Sequence, residues 1–195
     1  MLHVEHIHPK GLPKYHDLIG RWDNFLLACA TCNSAKSTFD VKLEETYLPD
    51  RDNTVVAFSY LPDGTIRPSG DHSVSFEIAE RTLALTGLSR PFPLRRTAKE
   101  LLEQRMQTWL QALDAKADIA IHIENISLRR QIVATAVACG HFSIWMTVFA
   151  DDADMRNQLV DAFPGTRDSG CFALSNGTTV SPAPNPDKLP HGGKV

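Results

Sequence analysis

The sequence lacks a long apolar run, a leader-like start and a cysteine-rich framework. No apolar segment approaches the roughly 18 consecutive residues that a membrane-spanning helix needs. The first residues show neither the basic region nor the apolar region of a secretory signal peptide. Four cysteines among 195 residues are too few for a disulfide-stabilised scaffold. We therefore expect a protein that does not span a membrane and that resides in the cytoplasm.

An excess of basic residues is also missing. The 20 Lys and Arg residues against 23 Asp and Glu residues give a formal net charge of −3. This balance argues against a protein that is held on nucleic acid mainly by bulk charge. It does not exclude a nuclease, because a locally basic site can lie on an acidic protein. With 43% hydrophobic and 22% charged residues the chain can bury a core, and we expect a globular fold.

The N-terminal pattern predicts two short strands, a long loop and a helix. Residues 2–7 and 24–28 are rich in strand-forming residues. The segment between them opens with two prolines and a glycine, which exclude regular structure there. A helix of one or two turns is predicted to follow the second strand and to end near residue 39. The predicted order is strand, long loop, strand, short helix.

The rest of the chain is predicted to be mainly helical. Residues 55–60 and 65–67 indicate a hairpin across a Leu-Pro-Asp-Gly turn. Apolar spacing and stop signals predict helices over residues 76–85, 97–117, 125–139 and 151–163. The apolar run over residues 141–150 is a buried strand or a buried helix, and its periodicity does not decide between them. From residue 181 onward we expect a frayed tail.

Three polar motifs lie close together near the N-terminus. Glu5 and His6 end the first predicted strand, Asn24 begins the second, and a Cys-x-x-Cys-Asn-x-x-Lys motif opens the helix. A hairpin followed by a helix brings the first strand's end beside the helix, so the oxygen atoms of Glu5 and Asn33 are placed to share one hard cation. Histidine is the residue type suited to act as a base near neutral pH, and we expect His6 on the same side, where it activates water. Lys36 is expected to meet a phosphate oxygen.

The segment VEHIHPK…RWDNFLLACATCNSAKS resembles the ββα-metal core of HNH endonucleases, in the variant whose third signature residue is Asn. The resemblance covers roughly residues 2–39, with the motifs in the family's order. Together with the helical pattern it predicts an α+β fold, a small ββα-metal core followed by a mainly α-helical domain. The predicted divisions are the nuclease core 1–42, a connecting hairpin region 43–75, the helical domain 76–165 and an irregular, frayed tail 166–195.

The resemblance implies a role for each matching residue. His6 matches the general base, and Asn24 matches the residue that holds the long loop so that the base points correctly. Glu5, where the family more often has Asp, and Asn33 match the ligands of a catalytic Mg²⁺ or Mn²⁺ ion. Lys36 matches a position that is often basic near the phosphate. Since family members cleave DNA, and sometimes RNA, to 5′-phosphate and 3′-hydroxyl ends, we expect an endonuclease that favours double-stranded DNA.

The cysteines depart from the family pattern. Many relatives hold a structural zinc ion with two Cys-x-x-Cys pairs, one of them upstream of the first strand, and such a site needs four ligands. Here Cys29 and Cys32 form a single pair, a candidate zinc half-site. Three interpretations stay open: the sequence is shortened at its N-terminus, the pair packs as reduced thiols, or the pair recruits Cys139, Cys171 or a histidine such as His3.

Ordinary structural roles are favoured for the remaining candidates. His8 and His16 are expected to be loop residues, although His8 is a second candidate for the site. Trp22 is expected to pack the loop against the core, and stacking on a nucleobase is the less favoured alternative. The pairs Arg95–Arg96 and Arg129–Arg130 have the charge to bind a DNA backbone. Charged helix faces usually only contact solvent and do not bind DNA, so we do not assign these arginine pairs to the site.

Other functional classes stay open. The first is a catalytically weak or inactive HNH-like module that acts as a DNA-binding or protein-binding subunit. The helical domain is a candidate surface for a protein partner or a homodimer. A Cys-x-x-Cys redox protein is a third class, but the βαβ context expected around such a motif is missing. By analogy alone, a small nuclease core with a helical extension suits a bacterial defence or mobile-element effector.

Overall fold

The computed structural model describes residues 2–88 and 96–195. Within these ranges the protein has an α+β fold, with two antiparallel two-stranded sheets and seven α-helices. None of the described helices is long and apolar enough to cross a membrane. The mixture of helix and strand agrees with the fold class predicted from the sequence. The predicted domain boundaries stay predictions.

The N-terminal segment forms a β-hairpin followed by a helix. Strand β1 (Leu2–His6) pairs antiparallel with strand β2 (Phe25–Cys29), and His6 lies opposite Phe25 in the register. Helix α1 (Ala30–Lys36) follows directly. The Cys29 sulfur caps this helix, since it accepts a hydrogen bond from the backbone N–H of Cys32. The helix ends before the predicted residue 39, because Ser37 adopts a positive φ of 49° that breaks the helical path.

The long loop between β1 and β2 is irregular but ordered by local turns. It contains 3₁₀ segments at Pro13–Leu18 and Trp22–Asn24. Beneath the hairpin, Ile7 is buried in a small apolar cluster with Val41 and Leu48. This cluster fixes the hairpin to the rest of the molecule, because each of its members loses water-exposed apolar surface on packing.

A second, shorter hairpin follows. Helix α2 (Thr54–Ala57) precedes strand β3 (Phe58–Tyr60), which pairs antiparallel with strand β4 (Ile66–Pro68). The predicted hairpin is therefore present, but its first strand begins three residues later than expected. Asn53 accounts for the difference, because its side chain accepts a hydrogen bond from the N–H of Val55 and caps a helical turn there.

The helical part contains five helices. They are α3 (Phe76–Thr86), α4 (Arg96–Ile121), α5 (Ile126–Cys139), α6 (Phe142–Val148) and α7 (Ala153–Ala162). The undecided run 141–150 is thus helical over most of its length. Its Trp145 and Phe149 are almost fully buried in the largest apolar core of the described residues.

The C-terminal segment corrects one prediction. Residues 166–195 are irregular, as expected, but they are not frayed. Val195 is fully buried, and its main-chain oxygen accepts hydrogen bonds from the N–H groups of Asn53 at 2.9 Å and Ala183 at 3.0 Å. Lys194 forms an ion pair at 2.8 Å with the buried carboxylate of Asp52. The polar tail is therefore held by partners that lie far away in the sequence, which its composition does not reveal.

Candidate active site at the first hairpin

Asn24 fixes the long loop from both sides. Its side chain is buried, and its Oδ1 accepts a hydrogen bond from the backbone N–H of His8 at 2.7 Å. Its Nδ2 donates to the carbonyl oxygens of His8 at 3.2 Å and Leu18 at 3.1 Å. Since these bonds join the segment after β1 to the far end of the loop, Asn24 holds the loop in one conformation.

His6 is oriented by the loop that Asn24 holds. Its Nε2 lies 3.1 Å from the carbonyl oxygen of Ile19, the residue after the one that Asn24 contacts. A carbonyl oxygen only accepts hydrogen bonds, so Nε2 carries a proton in this contact, and the lone pair of the uncharged form of the ring is at Nδ1. The ring also packs edge-on against Phe25 with 5.0 Å between ring centroids. His6 thus has a defined tautomer and a defined orientation.

Glu5, Asn33 and Lys36 lie together on another surface of the hairpin. All three line a cavity of about 300 Å³ between the hairpin, α1 and the body of the protein. The Lys36 ammonium forms an ion pair at 2.7 Å with one carboxylate oxygen of Glu5. The two side chains are only 10% and 15% exposed, so this pair is screened less by solvent than a surface pair.

The oxygen atoms of Glu5 and Asn33 supply part of the ligand set of a hard divalent cation. Glu5 supplies a carboxylate and Asn33 an amide oxygen, which are the ligand types that Mg²⁺ and Mn²⁺ accept. Among the described residues no three His, Cys, Asp or Glu side chains form a group that could hold a metal. Mg²⁺ commonly uses one or two carboxylates and completes its shell with water and substrate phosphate. The donor set therefore fits an ion that binds together with a phosphate.

The structure does not bring His6 into this cavity. Side chains alternate between the two faces of a strand, and Glu5 and His6 are consecutive in β1. Glu5 faces the cavity, whereas His6 contacts Phe25 and the Ile19 carbonyl. Our expectation that the base and the cation donors share one side of the hairpin is therefore not met. Glu5 and His6 are neighbours only in the sense that they are the last two residues of β1, with side chains on opposite faces of the strand.

The Cys29–Cys32 pair does not complete a zinc site. The two thiols are in contact, and burial, followed by the neighbouring Cys29 thiol, raises the pKa of Cys32 to about 12. No Cys, His, Asp or Glu of the described chain joins them as a third ligand. Cys139 is exposed and contacts Gln111 instead. Two thiols do not satisfy a four-ligand structural zinc site, so we derive no step through zinc.

The structure corrects the expected role of Trp22. Its side chain is 88% exposed, so the prediction that it packs the loop against the core is wrong. It makes one edge-on ring contact with Phe25, with 6.3 Å between centroids. Because the 3₁₀ turn Trp22–Asn24 is fixed through the buried Asn24, the indole is held out from the loop toward solvent.

The other histidines and arginines lie outside the candidate site. The His8 ring packs against the Tyr15 ring at a tilt of 30° with 4.3 Å between centroids, its Nδ1 is buried without a partner, and burial lowers the pKa of the ring. His16 is an exposed loop residue. Arg129 pairs with two carboxylates on the neighbouring helix α7 and its cap, so it has a structural role. Arg95 lies outside the described residues.

Sequence reasoning missed one residue that supports the loop. Arg51 is almost fully buried, and its guanidinium donates to the carbonyl oxygens of Asp23 at 3.3 Å and Pro190 at 3.0 Å. It also pairs with Asp50 at 2.7 Å. Arg51 therefore ties the C-terminal segment to the residue before Asn24. No local signal marks it, because its partners are 28 and 139 positions away.

Comparison of the chain with family models, with curated proteins and with solved structures finds no match.

Proposed function

We propose that the first hairpin and α1 form the active site of a metal-dependent endonuclease that hydrolyses phosphodiester bonds of DNA. One observation supports this most strongly: the Asn24 side chain fixes the loop whose Ile19 carbonyl orients the His6 ring. A histidine whose ring is oriented by a fixed loop is what a general base requires. The strand–loop–strand–helix order around it is the order that the resemblance to HNH endonucleases implies.

His6 is the proposed base. With the proton on Nε2, its Nδ1 lone pair takes a proton from the attacking water, and the Ile19 carbonyl stabilises the cationic ring that results. The scissile phosphate lies across the end of β1 in this proposal, because only there is it near both His6 and the Glu5 side. Loss of a general base lowers the rate by about 10²–10⁴-fold.

Glu5 and Asn33 are the proposed ligands of a divalent cation. When bound, Mg²⁺ or Mn²⁺ supplies positive charge that stabilises the charge developing on phosphate oxygens. Lys36 pairs with Glu5 in the structure, and in this proposal its ammonium donates to a phosphate oxygen once the carboxylate has a second partner. Lys36 thus keeps the buried Glu5 carboxylate compensated while no substrate is bound.

A second candidate function is a DNA-binding or protein-binding module without strong activity. The ion pair between Lys36 and Glu5, together with the position of His6 outside the cavity, favours this alternative. In such a module the pair is a structural contact between β1 and α1, and the loop serves only to shape the surface.

The proposal is tested by cleavage of supercoiled plasmid DNA in Mg²⁺ or Mn²⁺, with EDTA as the metal-free arm. We expect the wild type to nick or linearise the plasmid only with metal, and to leave 5′-phosphate and 3′-hydroxyl ends. Glu5→Gln removes the proposed carboxylate ligand and should lower the rate by at least about tenfold. Glu44→Gln is the matched control, because Glu44 is exposed and lies outside the cavity.

Two results would count against the proposal. Equal cleavage by Glu5→Gln and Glu44→Gln would mean that Glu5 is not a ligand. A folded wild type that binds DNA and cleaves none in any metal arm would support the binding module.

A further inference from the structure

Trp22 is the most exposed large hydrophobic side chain of the described residues. Its 88% exposure exceeds that of Leu174, the next in order, at 81%. The chain has three tryptophans, and the other two are partly or fully buried in the helical core, with Trp109 packed against it and Trp145 inside it. Leaving an indole in water forgoes the free energy gained by burying apolar surface. A role of Trp22 in binding a ligand would account for its exposure.

The position of the indole is defined rather than loose. Trp22 follows Arg21, which forms an ion pair at 2.7 Å with Asp23, and it precedes the buried Asn24. Its ring contacts Phe25 edge-on, and Phe25 in turn contacts the ring of His6. Two successive edge-on contacts therefore link the exposed Trp22 ring, through Phe25, to the ring of His6, the proposed base.

We propose that Trp22 is a stacking platform for an unpaired nucleobase of a DNA strand whose phosphodiester lies at His6. This inference rests on the proposed function, and it narrows the substrate from duplex DNA to DNA with a single-stranded or unpaired nucleotide at the cut. An indole face binds a nucleobase by stacking, with little regard to which base it is. Bases inside a duplex have both faces covered by their neighbours, so a fixed surface indole meets a free base face only where the strand is unpaired.

The charges around the loop favour stacking over phosphate binding as the source of affinity. Arg21 is paired with Asp23, and Lys14 is paired at 2.6 Å with Asp40. These cations are already compensated, so they add little attraction for a phosphate backbone. Lys10 in the same loop is exposed and adds a phosphate contact, so Trp22 supplies the part of the affinity that depends on a base. A stacked strand rises about 3.4 Å per nucleotide, so a strand whose phosphate reaches His6 carries bases close to Trp22.

The test is a fluorescence titration of the full chain in EDTA, where no metal-dependent cleavage interferes. Three probes of equal length are compared: a single-stranded oligodeoxynucleotide, its duplex, and an abasic strand with the same phosphates but no bases. Because Trp22 is the one strongly exposed tryptophan of the three, we expect the single strand to quench the exposed component of the emission. The duplex and the abasic strand should quench it far less.

Variants assign the signal to the ring. By anisotropy of a labelled single strand, Trp22→Ala should bind about tenfold more weakly, the effect expected for the loss of one stacked base. Trp22→Phe keeps an aromatic face and should recover part of the affinity. Leu174→Ala is the control, because Leu174 is nearly as exposed but lies in the C-terminal segment, and this variant should bind the strand as tightly as the wild type.

Each remaining outcome overturns the proposal. Trp22→Ala with wild-type affinity would mean that the indole does not bind DNA. Equal quenching by the duplex would exclude the unpaired base, and equal quenching by the abasic strand would exclude stacking. Failure of this inference is distinguishable from failure of the nuclease proposal: the titration measures binding without cleavage, whereas the nuclease proposal is judged by the loss of metal-dependent cleavage in Glu5→Gln.

Discussion

Asn24 shows how a single buried side chain organises the candidate site. Its amide group has three hydrogen bonds to backbone atoms of His8 and Leu18, and the residue is only 2% exposed, so water has little access to replace them. The Asn in the sequence motif, together with the family resemblance, predicted a loop-holding role. The acceptor of the His6 ring, the carbonyl of Ile19, was not predictable, because a backbone oxygen carries no sequence signal.

Substitution of Asn24 should affect stability and activity together. Asn24→Ala removes the side-chain partners of the half-buried N–H and carbonyl groups of His8, so we expect a loss of about 1–3 kcal/mol in the free energy of unfolding, measured by urea denaturation. Any cleavage activity should fall as well, since the loop that orients His6 is released. Asp23→Ala, which removes only a surface pair with Arg21, should cost less than about 1 kcal/mol. Equal losses in both variants would contradict this account.

A second prediction concerns His141, the half-buried residue before α6. Burial, followed by the nearby Arg105, lowers the pKa of its ring below the usual 6.5. The unfolded chain therefore takes up this proton first as the pH falls. The stability that the neutral ring contributes is fully present above about pH 6.5 and is lost as the pH falls from there toward the lower folded pKa. His8, whose pKa is lowered mainly by burial, acts in the same direction.

The measurement is the free energy of unfolding at pH 7.5 and at pH 5.5. We expect the wild type to be less stable at pH 5.5. His141→Asn should show a smaller drop, because it removes the titrating ring and because Asn tolerates the positive φ of 57° at this position. An unchanged drop in the variant would mean that His141 does not contribute.

At the scale of elements, the residues of the turn between β3 and β4 determine where this hairpin forms. The Leu-Pro-Asp-Gly sequence predicted this turn, and Gly64 adopts the positive φ of 75° that the turn requires. The same glycine lies against α4: its carbonyl accepts a hydrogen bond at 2.6 Å from the buried Arg105. The contact with α4 was not predictable, because it joins residues 41 positions apart.

Gly64→Ala should destabilise the protein. The new Cβ would lie 2.7 Å from the main-chain oxygen of Leu102, and the residue would keep a positive φ that alanine disfavours. We expect a loss of about 1–3 kcal/mol, measured by the shift of the thermal midpoint. Gly70→Ala is the matched control, since its Cβ would meet nothing within 4 Å, and it should change stability little. A neutral Gly64→Ala would contradict the close packing of turn and helix.

Other elements differ in how far the sequence predicts them. Helix α3 ends at Gly87 in the left-handed conformation, as its stop signal indicates. Helix α2 was missed, because a single cap by Asn53 converts the first residues of a predicted strand into a helical turn. Helix α6 could not be distinguished from a strand, since its apolar residues are buried all round and leave no period to read.

At the scale of the whole molecule, the C-terminal segment connects the core to the candidate site. Val195 belongs to the apolar cluster around Tyr47 and Ala57, and Arg51 joins the carbonyls of Pro190 and Asp23. The sequence predicts none of this, because a polar tail rich in proline and glycine has no local signal for docking. Its order comes from long-range contacts alone.

Shortening the buried side chain of Val195 should therefore destabilise the whole protein. Val195→Ala removes buried methyl groups, and we expect a loss of about 1–3 kcal/mol in the free energy of unfolding, measured by urea denaturation. Leu174→Ala, an exposed position in the same segment, should change stability by less than about 0.5 kcal/mol. Equal effects of the two variants would mean that the tail is not part of the folded core.

We propose that His6, held by the Ile19 carbonyl, is the base of a phosphodiester hydrolysis. The most direct measurement compares single-turnover cleavage of plasmid DNA with Mg²⁺ or Mn²⁺ by the wild type, His6→Ala and His16→Ala. His16 is the control because it is an exposed histidine of the same loop. We predict metal-dependent cleavage that falls about 10²–10⁴-fold in His6→Ala and stays unchanged in His16→Ala. Cleavage by His6→Ala at the wild-type rate would contradict the claim.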